Sequence, residues 1–250
     1  MIARLWLSVL LVAWAAAGAR PASAQDLVAD LSNHLIAIST DFTGTEVVLF
    51  GALDEPGDIA VVVRGPAEDV VVREKERVLG IWVNTTSVTF LGVPSFYRVA
   101  SSVPLPQLAD ESTLRRHGIG LQHLRLAVGE SSDLDEAEVS AFHDALIRSR
   151  QRDGVFGVGS GQVAFLGGRL FRTRLDFPAS VPTGQYIVSV YLIRDGAVVD
   201  AQTTPLVVSK IGLGADIYAY AQRQAAAYGL LAIFIAVAAG WLASVVFRRG

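Results

Sequence analysis

From Ala225 to Phe247 the chain carries no charge: AAAYGLLAIFIAVAAGWLASVVF. No other stretch restricts the protein more. At about 1.5 Å of rise per residue, a helix of this length crosses about 30 Å of hydrocarbon. It is apolar on every side, unlike the amphipathic helix of a soluble core. Arg248 and Arg249 follow at once. Positive charge collects on the cytoplasmic side, so these two arginines are the topology determinants that place the C-terminus inside the cell. The lipid bilayer is therefore an expected partner through 225–247. A removable lipid-anchor signal would need a polar spacer before its apolar tail. The terminal Arg-Arg and the tyrosine-rich lead-in argue against it.

The other end agrees. Arg4, the apolar run Leu5 to Ala17 and the triplet Ala22-Ser23-Ala24 have the order of a secretory signal peptide, with cleavage expected before Gln25. Together the two ends predict a single-pass protein whose N-terminal ectodomain faces outward. Arginine outnumbers lysine nineteen to two and alanine is abundant. That usage is associated with GC-rich bacterial genomes, which makes the outward compartment the periplasm and the membrane the bacterial inner membrane. The periplasm permits disulfides, yet the chain has no cysteine, so the exported part must be stable from its core alone. Setting aside Arg4, Arg20, Arg248 and Arg249 leaves 17 basic against 24 acidic residues, a net charge near −7. An acidic surface without a basic cluster predicts no nucleic-acid partner.

Between the ends, short Val- and Ile-rich stretches alternate with turn residues. His34 to Ser39, Thr45 to Gly51, Asp58 to Gly65 and Glu68 to Glu74 read as strands, separated by Gly44, Pro56-Gly57 and Gly65-Pro66. Phe171, Thr173, Leu175 and Phe177 alternate with Arg172, Arg174 and Asp176, as in a half-buried antiparallel strand. Asp195-Gly196 is a type I′ hairpin signal, Gly167-Gly168 reads as a two-residue turn, and Thr203 to Lys210 reads as a last strand. Strands at this spacing predict an immunoglobulin-like (Ig-like) antiparallel sandwich.

Helical spacing interrupts them. Ser112 to Val128 places Leu114, Ile119, Leu121 and Leu124 at helical intervals, although Gly118 and Gly120 weaken the pattern. In the following segment Asp133 is the expected N-cap, with Glu136 as its capping-box partner. Val139, Phe142, Ala145 and Leu146 share a face, and Gly154 suits the C′ position. The fold class is thus mainly β, with an inserted helical hairpin and one C-terminal transmembrane helix. The expected divisions are 1–24 signal peptide, 25–104 first part of the sandwich, 105–154 helical hairpin, and 155–210 further strands. A juxtamembrane lead-in (211–224), the span (225–247) and a cytoplasmic tail (248–250) follow. The strands of 155–210 either complete the first sandwich or form a second.

Gly80 to Ser102, GIWVNTTSVTFLGVPSFYRVASS, concentrates aromatic residues. It has two readings. One is a structural hairpin closing the sandwich, with Trp82 in the core, Gly92 to Ser95 as a loop and Phe96 to Ser101 as the returning strand. The other is a ligand surface built from Trp82, Phe96 and Tyr97. Asn84-Thr85-Thr86 fits a glycosylation triplet, which has no use in a bacterial periplasm. His117, His123 and His143 fall in the helical region, but without a ligand motif they read as ordinary surface or capping residues. FGVGSGQ (Phe156 to Gln162) lacks the strand-then-helix context of a dinucleotide site and reads as a loop. No nucleophile–base pair emerges, so the expectation is a non-enzymatic protein without cofactor or metal. In the span, Ala232, Ala236, Gly240 and Ser244 recur every four residues, a face on which another helix can pack closely.

The phrases "VVLFGALDEPGDIAVVVRGP", "GIWVN…PSFYRVASS" and "FPASVPTGQYIVSVYLIRDGAVV" lie between a signal peptide and one C-terminal span. In this layout the chain resembles an uncharacterised alphaproteobacterial transmembrane protein family over essentially its whole length. The resemblance implies no activity and no catalytic residues. It does imply an integral-membrane partner, a transporter similar to sulfite/organosulfur exporters. The expected function is a non-catalytic accessory or interaction subunit of a membrane complex. The alternative is a periplasmic ligand-binding or sensing domain.

Overall fold

The computed structural model describes residues 26–78, 80–129, 134–211 and 221–247. The expected signal peptide, Asp133, residues 212–220 of the lead-in and the Arg248-Arg249 pair lie outside them. Two sheets share one core. The first has the order β1 (Leu27–Leu31), β3 (Gly44–Leu53), β11 (Leu170–Pro178) and β10 (Ala164–Leu166), all antiparallel. The second runs β2 (Leu35–Ile38), β13 (Ala197–Lys210), β12 (Gly184–Arg194), β4 (Asp58–Arg64), β7 (Tyr97–Ser101) and β9 (Gly161–Gln162). In it, β2 lies parallel to β13 and β9 parallel to β7.

The strands after the helices complete the first sandwich. Strand β11 pairs with β3 from Leu170↔Ala52 to Pro178↔Gly44, and β12 pairs with β4 from Ile187↔Arg64 to Ile193↔Asp58. The alternation read from Phe171 to Phe177 is the observed one: those four side chains are buried and their neighbours are exposed, except for the half-buried Pro178. Phe177 stacks on Phe96 at 5.2 Å between centroids and meets Tyr186 edge-on at 6.0 Å. This trio joins the two sheets. The Tyr186 hydroxyl donates to the Pro182 carbonyl at 2.6 Å, tying the start of β12 to the chain that approaches it. Burial pushes the pKa of that hydroxyl up.

Both faces of β4 are covered, and Ile59 to Val63 are each at most 1% exposed. The outward face meets the helical insertion. There Tyr97 donates to the Gly118 carbonyl at 2.6 Å and accepts from the Gly120 N–H at 2.9 Å. Arg64 donates to the His117 and Gly118 carbonyls. Burial raises the Tyr97 pKa to about 12, against the opposing influences of the Gly120 hydrogen bond and the Arg64 charge.

The insertion differs from a two-helix hairpin. It comprises α1 (Leu105–Leu108), α2 (Glu111–His117), a 3₁₀ turn at Leu121–His123, strand β8 (Ala127–Val128) and α3 (Glu136–Arg152). Helix α2 stops because Gly118 takes a left-handed conformation, φ 59°, and Ile119 N–H closes back on the Leu114 carbonyl. The capping box of α3 exists two residues later than expected: Asp135 accepts from Glu138 N–H, and Glu138 accepts from Asp135 N–H. Asp195 and Gly196 form the expected two-residue turn, both at positive φ. The loop at Gly167 and Gly168 also takes in Arg169, because Leu166 pairs with Leu170.

The segment from Gly80 to Ser102 is not one hairpin. Strand β6 (Ile81–Pro94) pairs with β5 (Ala67–Val78) and with β8 in a third sheet, whereas β7 pairs with β4. Gly92 to Pro94 belongs to β6 and is not a loop. The β5–β6 pair forms an arm whose root packs beneath α3. Val88 and Phe90 are buried there, and Phe90 meets His143 edge-on at 6.2 Å. Arg150 of α3 bonds Glu68.

Candidate functional site

Helix α4 (Ala225–Phe247) is the one helix among the described residues long and apolar enough to cross a membrane. None of its most apolar window is buried against the rest of the chain. Ala232, Ala236, Gly240 and Ser244 are all exposed along it, and a Cβ placed on Gly240 would meet nothing within 4 Å. The small-residue face read from the sequence is therefore open.

The proposed aromatic surface does not exist as a unit. Phe96 and Tyr97 are buried, one between the sheets and the other under the insertion. Trp82 is 66% exposed and lies toward the far end of the arm, so it is neither core nor neighbour to the other two. A two-stranded ribbon has no second layer to bury its side chains, so a tryptophan near its tip stays in solvent.

Register sorts the arm's side chains by face. Paired residues share a face and alternate residues along β5 share one, while β6 carries one extra residue between Asn84 and Ser87 that shifts its alternation. Val70 and Val72 face α3 together with Phe90 and Val88; farther out, Glu74, Glu76, Val83 and Ile81 continue that face. The opposite face carries Val71, Arg73, Lys75 and Arg77, with Asn84 opposite Lys75 and Trp82 opposite Arg77. From Arg73 to Arg77 every residue is exposed, as are Ile81 to Thr85 on the returning strand. Sequence reasoning missed this face, because the pairing that defines it is a register and not a motif.

A cleft of about 830 Å³ separates α3 from β7. Val99, Leu105, Leu121 and Ile147 give it apolar walls, while His123, His143, Asp144 and Arg148 give it polar ones. Gly157, Gly159 and Ser160, from the glycine-rich loop, border it. His117 lies elsewhere, 5.2 Å from the Tyr191 ring, and its pKa is lowered by burial and by the nearby Arg116 and Arg64 charges. Among the described residues no three His, Asp or Glu side chains gather closely enough to hold a metal ion.

The chain matches a family model described as "Putative transmembrane protein (Alph_Pro_TM)" over residues 26–249. The chain belongs to this family. The matched residues take in the sandwich, the arm, the insertion and the apolar helix of this Alph_Pro_TM member. No curated protein matches the chain.

Proposed function

We propose that the protein is a single-span subunit of the bacterial inner membrane with an Ig-like ectodomain in the periplasm. It acts without catalysis, as an accessory of an integral-membrane partner. The open small-residue face of α4 carries this reading: small side chains every four residues allow two helices to approach closely, and nothing among the described residues covers them. The Ig-like assignment is supported by the strand orders β1-β3-β11-β10 and β13-β12-β4, which follow the ABED and GFC pattern of such sandwiches. Tyr186 supports it too, bonding back to Pro182 as in a tyrosine corner. The orientation is supported by Arg248 and Arg249 behind the span. The family resemblance points to a transporter similar to sulfite/organosulfur exporters as the class of partner. Purification of the full chain from native membranes should recover a stoichiometric integral-membrane protein, and Ala236→Leu with Gly240→Leu should abolish that recovery. A lone monomer, or recovery unchanged in the double variant, overturns the reading.

A second reading, small-molecule binding, moves from the aromatic segment to the cleft. A volume of about 830 Å³ lies within the range of small-molecule sites, and the walls mix apolar and polar groups as such sites do.

A further inference from the structure

The β5–β6 arm leaves the sandwich at the pole from which the chain runs to the membrane. Strand β4 ends at Arg64 beside Ile187, near the start of β12, and β13 ends at Lys210 just beyond the Gly184↔Val208 pair. Pro66, at the root of the arm, packs against Gly184 so closely that a Cβ there would lie 2.7 Å from its ring. The opposite pole holds Asp26, Glu55 and Arg194. Residues 212–220 lead from the sandwich to the helical residues before the span, and nine residues cannot reach farther than about 32 Å. The strands from Glu68 to the turn at Gly80 extend about 40 Å at about 3.3 Å per residue. The arm is thus comparable in length to the largest distance that can separate its root from the bilayer.

We propose that the arm lies on the outer surface of the membrane that holds α4, with Arg73, Lys75, Arg77 and Trp82 against anionic lipid headgroups. Two features of this face select a lipid surface over a protein. From Val71 outward its charged side chains, Arg73, Lys75 and Arg77, are all cationic, on an exported region that is otherwise acidic, while Asp69 at the root of the same face accepts from the Gly92 N–H. Its exposed aromatic is a tryptophan, whose ring and N–H suit the headgroup layer. The opposite face carries Glu74 and Glu76 and is repelled by the same surface, so the arm has one docking side. Each cation near an anionic surface strengthens binding about fivefold, so the three together contribute up to about a hundredfold. The proposal rests on the membrane-anchored reading but requires no protein partner.

The absence of cysteine allows a single spin label to be placed at will. Asn84→Cys labels the cationic face and Val83→Cys the other. The full chain is reconstituted in nanodiscs containing phosphatidylglycerol, and incorporation into the discs reports the span independently of either label. The expected result is that the label at position 84 gains oxygen accessibility and loses accessibility to a water-soluble nickel complex, while the label at 83 does not. That difference should vanish in discs of phosphatidylcholine alone, and in the Arg73→Gln, Lys75→Gln, Arg77→Gln variant. Equal solvent accessibility of both labels in both lipids overturns the proposal. So does immobilisation of both labels regardless of lipid charge, which would assign the arm to a second protein molecule.

Discussion

Strand β4 leaves Ile59 to Val63 at most 1% exposed, whereas β6 leaves Ile81, Trp82 and Val83 at 69%, 66% and 41%. Both stretches are made of residues that favour extended backbone. Strand β4 lies between β12 and β7, with the opposite sheet on one face and the insertion on the other. Among the described residues, the outer part of β6 has a single neighbouring strand and no layer above or below it. The difference teaches that strand formation and burial are separate decisions. Propensity settles the first; the number of neighbours settles the second. A self-sufficient core results in one region. In the other, an exposed ribbon with cations on one face and Glu74 and Glu76 on the other is held at its root.

The largest effect is expected in the sandwich. Phe177→Ala removes the ring between Phe96 and Tyr186 and should cost about 3–5 kcal/mol, measured by unfolding of the sandwich in the full chain. A loss below about 1 kcal/mol would mean that the two sheets do not depend on this shared contact.

Tyr97→Phe tests the junction of sandwich and insertion. It leaves the Gly120 N–H without its hydroxyl acceptor and the Gly118 carbonyl without its tyrosine donor, and should cost about 1–3 kcal/mol. Between pH 10 and about 12 the unfolded chain has lost the Tyr97 proton while the folded protein keeps it, so wild-type stability must fall as pH rises through that window. A flatter pH profile in Tyr97→Phe is the expected outcome. Tyr186, also shifted upward, leaves some slope in both proteins. An unchanged profile would remove Tyr97 from this role.

The smallest effect belongs to the arm. Ile81→Ser with Trp82→Ser should change stability by no more than about 0.5 kcal/mol, because these side chains contribute little buried area. A loss comparable to that of Phe177→Ala would break the comparison and make the tip part of the folded core.

Local signals were legible where one residue's geometry decides the outcome. Asp195-Gly196 specifies its turn because both positions need positive φ, and alternation from Phe171 to Phe177 marks its buried face without reference to the partner strand. Gly118 and Gly120 were visible as weak points in a helical pattern, and the chain does leave the helix there. The capping box was visible as a motif but not in its register, since the run from Asp133 to Glu138 offers more than one spacing of acidic residues. The cleft was legible only in fragments. His123, His143 and the glycine-rich loop stood out singly, and no spacing rule brings 123, 143 and 157–160 together.

A membrane-length apolar helix, a β-rich part ahead of it and the family were all legible in the contiguous chain, because hydrophobic length, two-residue periodicity and family phrases need no tertiary contact. Only the tertiary structure decided that 155–210 completes the first sandwich, that β6 and β7 part into different sheets, and that Trp82 lies in solvent while Phe96 and Tyr97 are buried. The reason is that an edge strand can pair with any compatible neighbour. The choice among neighbours is made by packing across the whole core, as where Phe177 of β11 meets Phe96 and Tyr186 from distant parts of the chain.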